Sequence, residues 1–459
     1  MVPLTVALLT YNRAHYLRQS LQAIVDQTWG DFELLVLDNG STDETPQVVL
    51  SFNDPRLRYV RNPPGSTARF NNMSALWLFR GERLLITHDD DIMEPDMLKR
   101  QMALIAAHPE LTAVWTNKSI IDKHGKQVQA WFSAPGPDRI FARGEFIARA
   151  AVENLWHPPS SLIFSPRLQS LKKLQQAYLA ATPPRHRGNG DLVVPATMNL
   201  HGPVGFVNAP LLRYRQHDVQ QTQQVHLARA ALYSSTMLSR LIKKTDYCDE
   251  FLPIFDARIA RFKAQDLLLD VSARQIPASI LARMQRLLDK APLRLSYSPL
   301  ALSPLLPLIL LLAQLGRADA ATDALADNPL ATAGIPGPAN RLQQWIALAR
   351  SERNIFTGYA PGTNVVILGS VMLAAILIQE ARKADLNVVC CLDSNVTRQG
   401  IQWLGVPIVA HDWLQTATGI DLIVLSAERD HEQELIEGMH QLSPATPVVS
   451  WKQLLDAAV

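Results

Sequence analysis

The chain has 459 residues, 47% of them apolar, which is enough for two or three domains with genuine cores. A formal net charge of +2 gives no reason to invoke a nucleic-acid partner. The three cysteines, Cys248, Cys390 and Cys391, have no metal-ligand spacing and suit a reducing cytoplasm.

Leu4 to Leu9 is an apolar run that predicts a strand, ending in Thr10-Tyr11-Asn12-Arg13. It has no basic stretch before it, so a core strand is expected and not a signal peptide. Leu17, Leu21, Ile24 and Val25 recur at helical spacing, and Phe32 to Leu37 predicts a strand buried on both faces that runs into Asp38-Asn39-Gly40-Ser41. Leu84, Leu85 and Ile86 predict a further strand, followed by His88-Asp89-Asp90-Asp91 and then by Pro95 and a helix-like stretch. The carboxylates are thus placed at the end of a parallel strand, where ligand chemistry in open α/β sheets occurs. Three adjacent carboxylates repel one another unless a cation neutralises them, and Mg²⁺ or Mn²⁺ takes one or two carboxylates together with substrate phosphates. The competing reading is a solvated acidic turn.

Strand, polar turn, helix, strand, polar turn, in this order and with these motifs, resembles a family 2 glycosyltransferase of the GT-A fold, over about residues 3 to 222. Such enzymes are inverting and depend on a nucleotide sugar, and the resemblance implies a set of roles. Thr10, Tyr11, Asn12 and Arg13 would line the nucleotide pocket, and Asp38 and Asn39 would hold the base. The segment Gly65 to Asn72 would reach the nucleotide through Arg69 and Asn72. Asp89 would lie near the ribose, Asp90 on a Mn²⁺ or Mg²⁺ ion, and Asp91 in support, with His88 hydrogen-bonding the carboxylates. Asp191, in Gly188-Asn189-Gly190-Asp191-Leu192, would be the general base that takes the acceptor's proton, and its competing reading is a helix N-cap. In Arg213-Tyr214-Arg215-Gln216-His217, His217 would be a late metal ligand and Arg215 would stabilise the diphosphate leaving group. Trp156, Ser160 and Ser161 would face the acceptor, although Trp156 suits a core equally. Many relatives carry two acidic residues where this chain has Asp38-Asn39, so the base is left open.

Downstream the composition changes. Residues 226–355 read as a helical linker or platform, and Leu300 to Leu315, although very apolar, is interrupted by Pro304 and Pro307 and is too short for a membrane span. Residues 356–459 alternate again: Asn364 to Leu368, a helix from Val371, Val388 to Leu392, Val406 to Ala410 and Leu422 to Ser426 predict a small Rossmann-like sheet. Its glycine fingerprint is damaged, with Val371 and Ala374 where glycines belong, while Asp393 keeps the place of a ribose-binding acid. A structural or partner-binding role is expected there ahead of nucleotide binding.

The expected architecture is therefore α/β throughout, with an N-terminal GT-A domain at 1–225, the helical platform, and a C-terminal Rossmann-like domain. The expected activity is inverting transfer from a nucleotide-diphosphate sugar to a hydroxyl of a glycan or lipid-linked acceptor in bacterial surface polysaccharide or lipopolysaccharide synthesis. It would take place in the cytoplasm or peripherally at the inner face of the membrane, with peripheral-membrane or homo-oligomer contacts through the helical and C-terminal regions. A retaining GT-A transferase, or a nucleotide sensor or scaffold acting through the C-terminal domain, are the alternatives.

Overall fold

The structure, a computed structural model, describes residues 2–153, 159–166, 192–217, 227–290, 303–315, 338–351, 353–369, 371–394, 398–427 and 432–459. The chain forms two compact units, Met1–Gln221 with Met237–Asp249, and Thr222–Thr236 with Glu250–Val459.

The first unit is built on a ten-stranded mixed sheet. Its strands are β1 (Leu4–Thr10), β2 (Phe32–Asp38), β3 (Leu57–Arg61), β4 (Arg83–His88), β5 (Ile92–Met93), β6 (Ala113–Ile121), β7 (Gln127–Gln129), β8 (Arg139–Phe141), β9 (Ile163–Phe164) and β10 (Val204–Arg215). The main path runs β3-β2-β1-β4-β9-β6-β10-β5, with β7 and β8 paired at its side. Every residue of β1 and β2 is buried, as expected for central parallel strands covered on both faces. The helices are α1 (Ala14–Val25), α2 (Thr45–Leu50), α3 (Ala68–Leu78), α4 (Met97–Ala107), α5 (Glu145–Arg149) and α6 (Val193–Asn199). On α1, Leu17, Leu21 and Ile24 form the buried stripe. Thr10 pairs with Asp38, and Leu9 with His88, so β1, β2 and β4 end together at one edge of the sheet. That register, set by the apolar runs, gathers three polar turns that are far apart in sequence.

The chain continues through α7 (Leu227–Ile242), α8 (Cys248–Leu269), α9 (Ala278–Lys290), α10 (Leu306–Gln314) and α11 (Pro338–Arg350). The second unit's sheet comprises β11 (Asn364–Leu368), β12 (Asn387–Leu392), β13 (Gln402–Trp403), β14 (Val406–Val409), β15 (Leu422–Leu425) and β16 (Val448–Ser450), in the order β13-β14-β12-β11-β15-β16. The remaining helices are α12 (Val371–Lys383), α13 (Glu432–Leu442) and α14 (Trp451–Ala458). Successive side chains of a strand point to opposite faces. Val365, Ile367 and Val424 accordingly join one apolar cluster, and Val366, Leu368, Ile423 and Leu425 the other. The adjacent Cys390 and Cys391 split the same way, both are free thiols, and burial pushes each up to about 12.

The larger cluster contains Leu268, Met284, Leu308 to Leu312 and Trp345 from the helices together with Val365, Ile367 and Trp451 from the C-terminal α/β segment. The boundary near residue 356 suggested by composition cuts through this shared core. Helical periodicity shows that a face is buried and not what buries it, which is why composition divided what packing joins. Among the described residues no helix is long and apolar enough to cross a membrane.

Candidate active site

The turn after β1 is tied to the turn after β2. Asn12 adopts a φ of 51°, a left-handed conformation that asparagine tolerates better than most residues. Its N–H donates to Ser41 Oγ (2.9 Å), and its Oδ1 accepts from the Thr42 N–H (2.7 Å). The first amide of α1, at Ala14, is covered by Asp43 Oδ2 (3.0 Å), a negative group where the helix dipole favours one. Arg13, at the N-cap position, makes no side-chain cap and reaches across to the carboxylates of β4.

Asp89, Asp90 and Asp91 are 2%, 6% and 4% exposed, so the solvated acidic turn is excluded. Asp89 accepts from the Tyr11 N–H (3.2 Å) and from Arg13 Nη1 (3.1 Å), and its carbonyl accepts from Ser20 Oγ (2.7 Å). Asp90 Oδ2 accepts from Arg13 Nη1 (2.7 Å) and lies 3.1 Å from His217 Nε2. Asp91 Oδ1 accepts from the Arg215 N–H (3.1 Å) and Oδ2 from Ser160 Oγ (2.5 Å). Burial, then the Asp90 charge, pushes Asp89 up to about 6 and Asp91 up to about 7. Burial also works to raise Asp90, but the hydrogen bond from His217 and the Arg13 charge outweigh it and hold this carboxyl below its ordinary value. Asp90 is therefore the member of the triplet whose charged form its surroundings favour most. Burial disfavours the Arg13 charge too, and Asp89 with Asp90 more than restores it.

Other expected site residues fall differently. Arg215 is 1% exposed: Nε donates to the Asp90 carbonyl (2.9 Å), Nη2 to Gln19 Oε1 (2.9 Å), and the guanidinium lies 4.7 Å from the Tyr16 ring centre. Its donors are engaged by backbone and side-chain acceptors, contacts that the expected role at the diphosphate did not include. Ser160 and Ser161, expected on the acceptor side, are fully buried. Ser160 bridges Asp91 and His88 Nδ1 (3.1 Å), and the Ser161 carbonyl accepts from Gln101 Nε2 (2.6 Å). Asp38 is fully buried, with Oδ1 accepting from the Ser41 N–H (2.8 Å) and Oδ2 from Tyr59 Oη (2.6 Å). Burial, then this hydrogen bond, raises the Tyr59 hydroxyl well above its ordinary value. Asn39 donates to the Ser66 carbonyl (2.8 Å) and keeps a buried Oδ1 without a partner. Thr10 is buried, and its carbonyl accepts from the Asn39 N–H (3.0 Å). Arg69 is exposed in the first turn of α3, and Asn72 Nδ2 donates to the Ala68 carbonyl (3.1 Å). Asp191 and Trp156 lie outside the described residues.

A cleft of about 290 Å³ opens beside the carboxylates, lined by Tyr11, Asn12, Arg13, His15, Tyr16, Lys123 and His217. Four of these side chains carry or can acquire positive charge, a lining that suits an anion. His15, Tyr16, Gln19, Ser20, Tyr59 and Lys123 were not foreseen. His15, Tyr16, Gln19 and Ser20 left a trace in the sequence, as polar residues among the apolar positions of α1.

Among the described residues, no three His, Cys, Asp or Glu side chains form a ready metal cage. A hard divalent ion needs fewer, since it takes one or two carboxylates plus phosphate oxygens. The Asp90 carboxylate, with His217 Nε2 3.1 Å from its Oδ2, supplies donors that fit such an ion of the Mg²⁺ or Mn²⁺ kind.

A sheet whose parallel strands β1, β2 and β4 deliver a basic turn, a polar turn and a carboxylate cluster to one edge has the arrangement of a GT-A domain. Residues 5–158 match the model of the family described as glycosyl transferase family 2, and this part of the chain is a glycosyltransferase domain of that family. It is 28% identical over 137 residues to the hyaluronan synthase of Pasteurella multocida, covering 29% of this chain and 14% of that one. It is 28% identical over 115 residues to the UDP-Glc:alpha-D-GlcNAc-diphosphoundecaprenol beta-1,3-glucosyltransferase WfgD of Escherichia coli, covering 25% and 45%. The chain thus spans less than half the length of these relatives. The crystal structure of S. aureus TarS residues 1–349 in complex with UDP-GlcNAc aligns with a TM-score of 0.47 at 16% identity, over 77% of this chain and 93% of that one.

Proposed function

We propose that the protein transfers a glycosyl group from a nucleotide-diphosphate sugar to a hydroxyl of a glycan or lipid-linked acceptor, with inversion, on the cytoplasmic side of a bacterial membrane. The observation that carries this reading is the convergence of Asp89, Asp90, Arg13 and His217 at one strand edge, next to the Asp38–Asn39 turn. The names of two relatives, a hyaluronan synthase and a glucosyltransferase acting on a diphosphoundecaprenol-linked sugar, support the polysaccharide setting.

In this reading the Asn39 Oδ1 accepts an imino N–H of the base, and Asp38, braced by Ser41 and Tyr59, fixes the turn. Asp89 lies toward the ribose. Arg13 and the cleft's other basic side chains receive the diphosphate through N–H donors. Asp90 and His217 would hold a Mg²⁺ or Mn²⁺ ion, which when bound neutralises charge that develops on the leaving diphosphate. Arg215 and Ser160 brace Asp91 and the Asp90 backbone from below. Asp191 is kept as the general base on the strength of its motif alone.

Donor hydrolysis and transfer by Asp90→Asn, measured with and without EDTA, test the reading. The variant is expected to lose roughly 10²-fold or more of the metal-dependent rate while keeping its circular dichroism spectrum. Full activity of Asp90→Asn in EDTA overturns the metal assignment. The anomeric configuration of the product, read by NMR, separates inversion from retention.

A further inference from the structure

The second sheet carries a buried cation with part of its donor set unused. β11, β12, β14 and β15 are parallel, with Leu368 beside Leu392 and Leu425, and Leu392 beside Val409. That register sets Gly369, Asp393, Ala410 and Ser426 in one row beyond the strand ends. β12 and β14 lie on one side of β11, β15 and β16 on the other. Such a reversal of strand order opens the crevice in which open α/β sheets take ligands. α12, thirteen residues long, starts at this edge directly after β11, so its N-terminal amides belong to the same crevice.

Asp393 Oδ2 accepts from Arg398 Nη1 at 2.6 Å, and the guanidinium carbon lies 5.0 Å from the Trp403 ring centre. Arg398 is 5% exposed, yet its Nε and Nη2 have no hydrogen-bond partner. Just beyond β14, His411 likewise has an enclosed Nε2 without a partner, and burial pushes its imidazole down against the charges of Asp393 and Asp412. Buried N–H groups are almost always paired, and unpaired ones are costly. An arginine kept only for an ion pair would turn its two-pronged edge to the carboxylate. Here a single Nη1 holds Asp393, the Trp403 face fixes the plane, and two donors are left over.

We propose that Arg398 and His411 form an anion site at the C-terminal edge of the second sheet, which takes the phosphate of a small phosphorylated ligand, a sugar phosphate or a nucleotide. A tetrahedral phosphate has oxygens for both Arg398 donors and for the histidine, which shares Asp393 as a neighbour with Arg398. A carboxylate fills only the fork. Val371 and Ala374 still stand where the glycines of a dinucleotide turn belong, so the ligand is anchored by one phosphate on arginine and not by a pyrophosphate on a glycine loop. The site belongs to the second unit, shares no residue with the glycosyltransferase centre and does not depend on how that centre works.

Calorimetric titration of the full chain in EDTA with inorganic phosphate, glucose 1-phosphate and ADP is the test, applied to the wild type, Arg398→Lys and Asp90→Asn. Lysine keeps a charge beside Asp393 and removes the fork. At least one organic ester is expected to bind wild type and Asp90→Asn alike, and Arg398→Lys roughly ten- to a hundredfold more weakly, the usual worth of charge-assisted hydrogen bonds. Whether glucose 1-phosphate or ADP binds identifies the source of the phosphate. Slowed amide exchange in residues 398–411 of the wild type with the bound probe locates the site without any variant. The proposal fails if neither ester saturates, if only inorganic phosphate binds, if Arg398→Lys binds as well as wild type, or if exchange in that segment is unchanged.

Discussion

Glu380 is a carboxyl within the core of the second unit, 1% exposed, with Oε1 accepting from Gln314 Nε2 (2.7 Å) and Oε2 from the Ile355 N–H (3.4 Å). Burial raises its pKa, and the hydrogen bond from Ile355 and the Lys383 charge only partly oppose this. The folded state therefore binds this proton more tightly than the unfolded chain. The associated stability is fully present below the unfolded carboxyl's pKa and is lost as pH rises through the raised folded value. Glu380→Gln cannot titrate, and it keeps the oxygen that accepts from Gln314. Urea unfolding between about pH 4 and about pH 8 should show wild type losing stability relative to the variant as pH rises. Parallel curves for the two proteins would mean that Glu380 keeps an ordinary pKa in the fold. The same accounting of buried polar atoms distinguishes the roles of the aspartate triplet: Asp91 has both oxygens engaged by protein donors, whereas one oxygen of Asp90 is shared between Arg13 and His217.

At the level of elements, the turn after β2 shows how a short motif is held. Gly40 has φ +80°, and a Cβ there would lie 2.9 Å from Pro64 Cα, so only glycine fits between this turn and the loop leading to α3. Gly40→Ala is expected to cost about 1–3 kcal/mol, from backbone strain and from displacement of the loop. It should also weaken nucleotide binding, because Asn39 is held by the Ser66 carbonyl of that loop. A variant within about 0.5 kcal/mol of wild type in urea unfolding would show that the loop yields easily. This turn was legible as sequence, as were β1, β2, β4 and the C-terminal alternation, because continuous apolar runs ending in polar turns carry both the strand and its end. The three-residue β7 and β8 and the two-residue β9 were not, since segments so short have no periodicity of their own. β9 exists because β4 and β6 leave a place for it. Likewise the triplet was legible, but its bracing was not: Arg215 meets Gln19 across 196 residues of sequence, and Ser160 meets Asp91 across 69. A motif gives a residue's chemistry, whereas the direction of its side chain depends on contacts made in the folded sheet.

For the whole molecule, the consequence lies in how the second unit coheres. Its helices and its sheet bury one another: Trp345 of α11 stacks on Trp451 of α14 with ring centres 5.5 Å apart, and Trp403 Nε1 donates to the Leu268 carbonyl of α8 (2.7 Å). The backbone joins them as well, through the Leu404 N–H to the Val271 carbonyl (2.7 Å) and the Gly405 N–H to the Ser272 carbonyl (2.9 Å). α10, with Leu308 to Leu312 fully buried, lies inside this core. A fragment of residues 356–459 would expose the apolar face that α8, α10 and α11 cover. Each large apolar side chain left uncovered forfeits about 1.5–3 kcal/mol against a total of only about 5–15 kcal/mol for an ordinary domain. The 356–459 fragment is therefore expected to be aggregated or to lack a cooperative transition, and residues 248–459 to unfold cooperatively as one body. Near-ultraviolet circular dichroism and urea titration of both fragments check this. A sharp transition in the shorter fragment, with the same midpoint as in the longer one, would mean that the sheet needs none of its helical cover and that composition, not the shared core, marks the folding boundary.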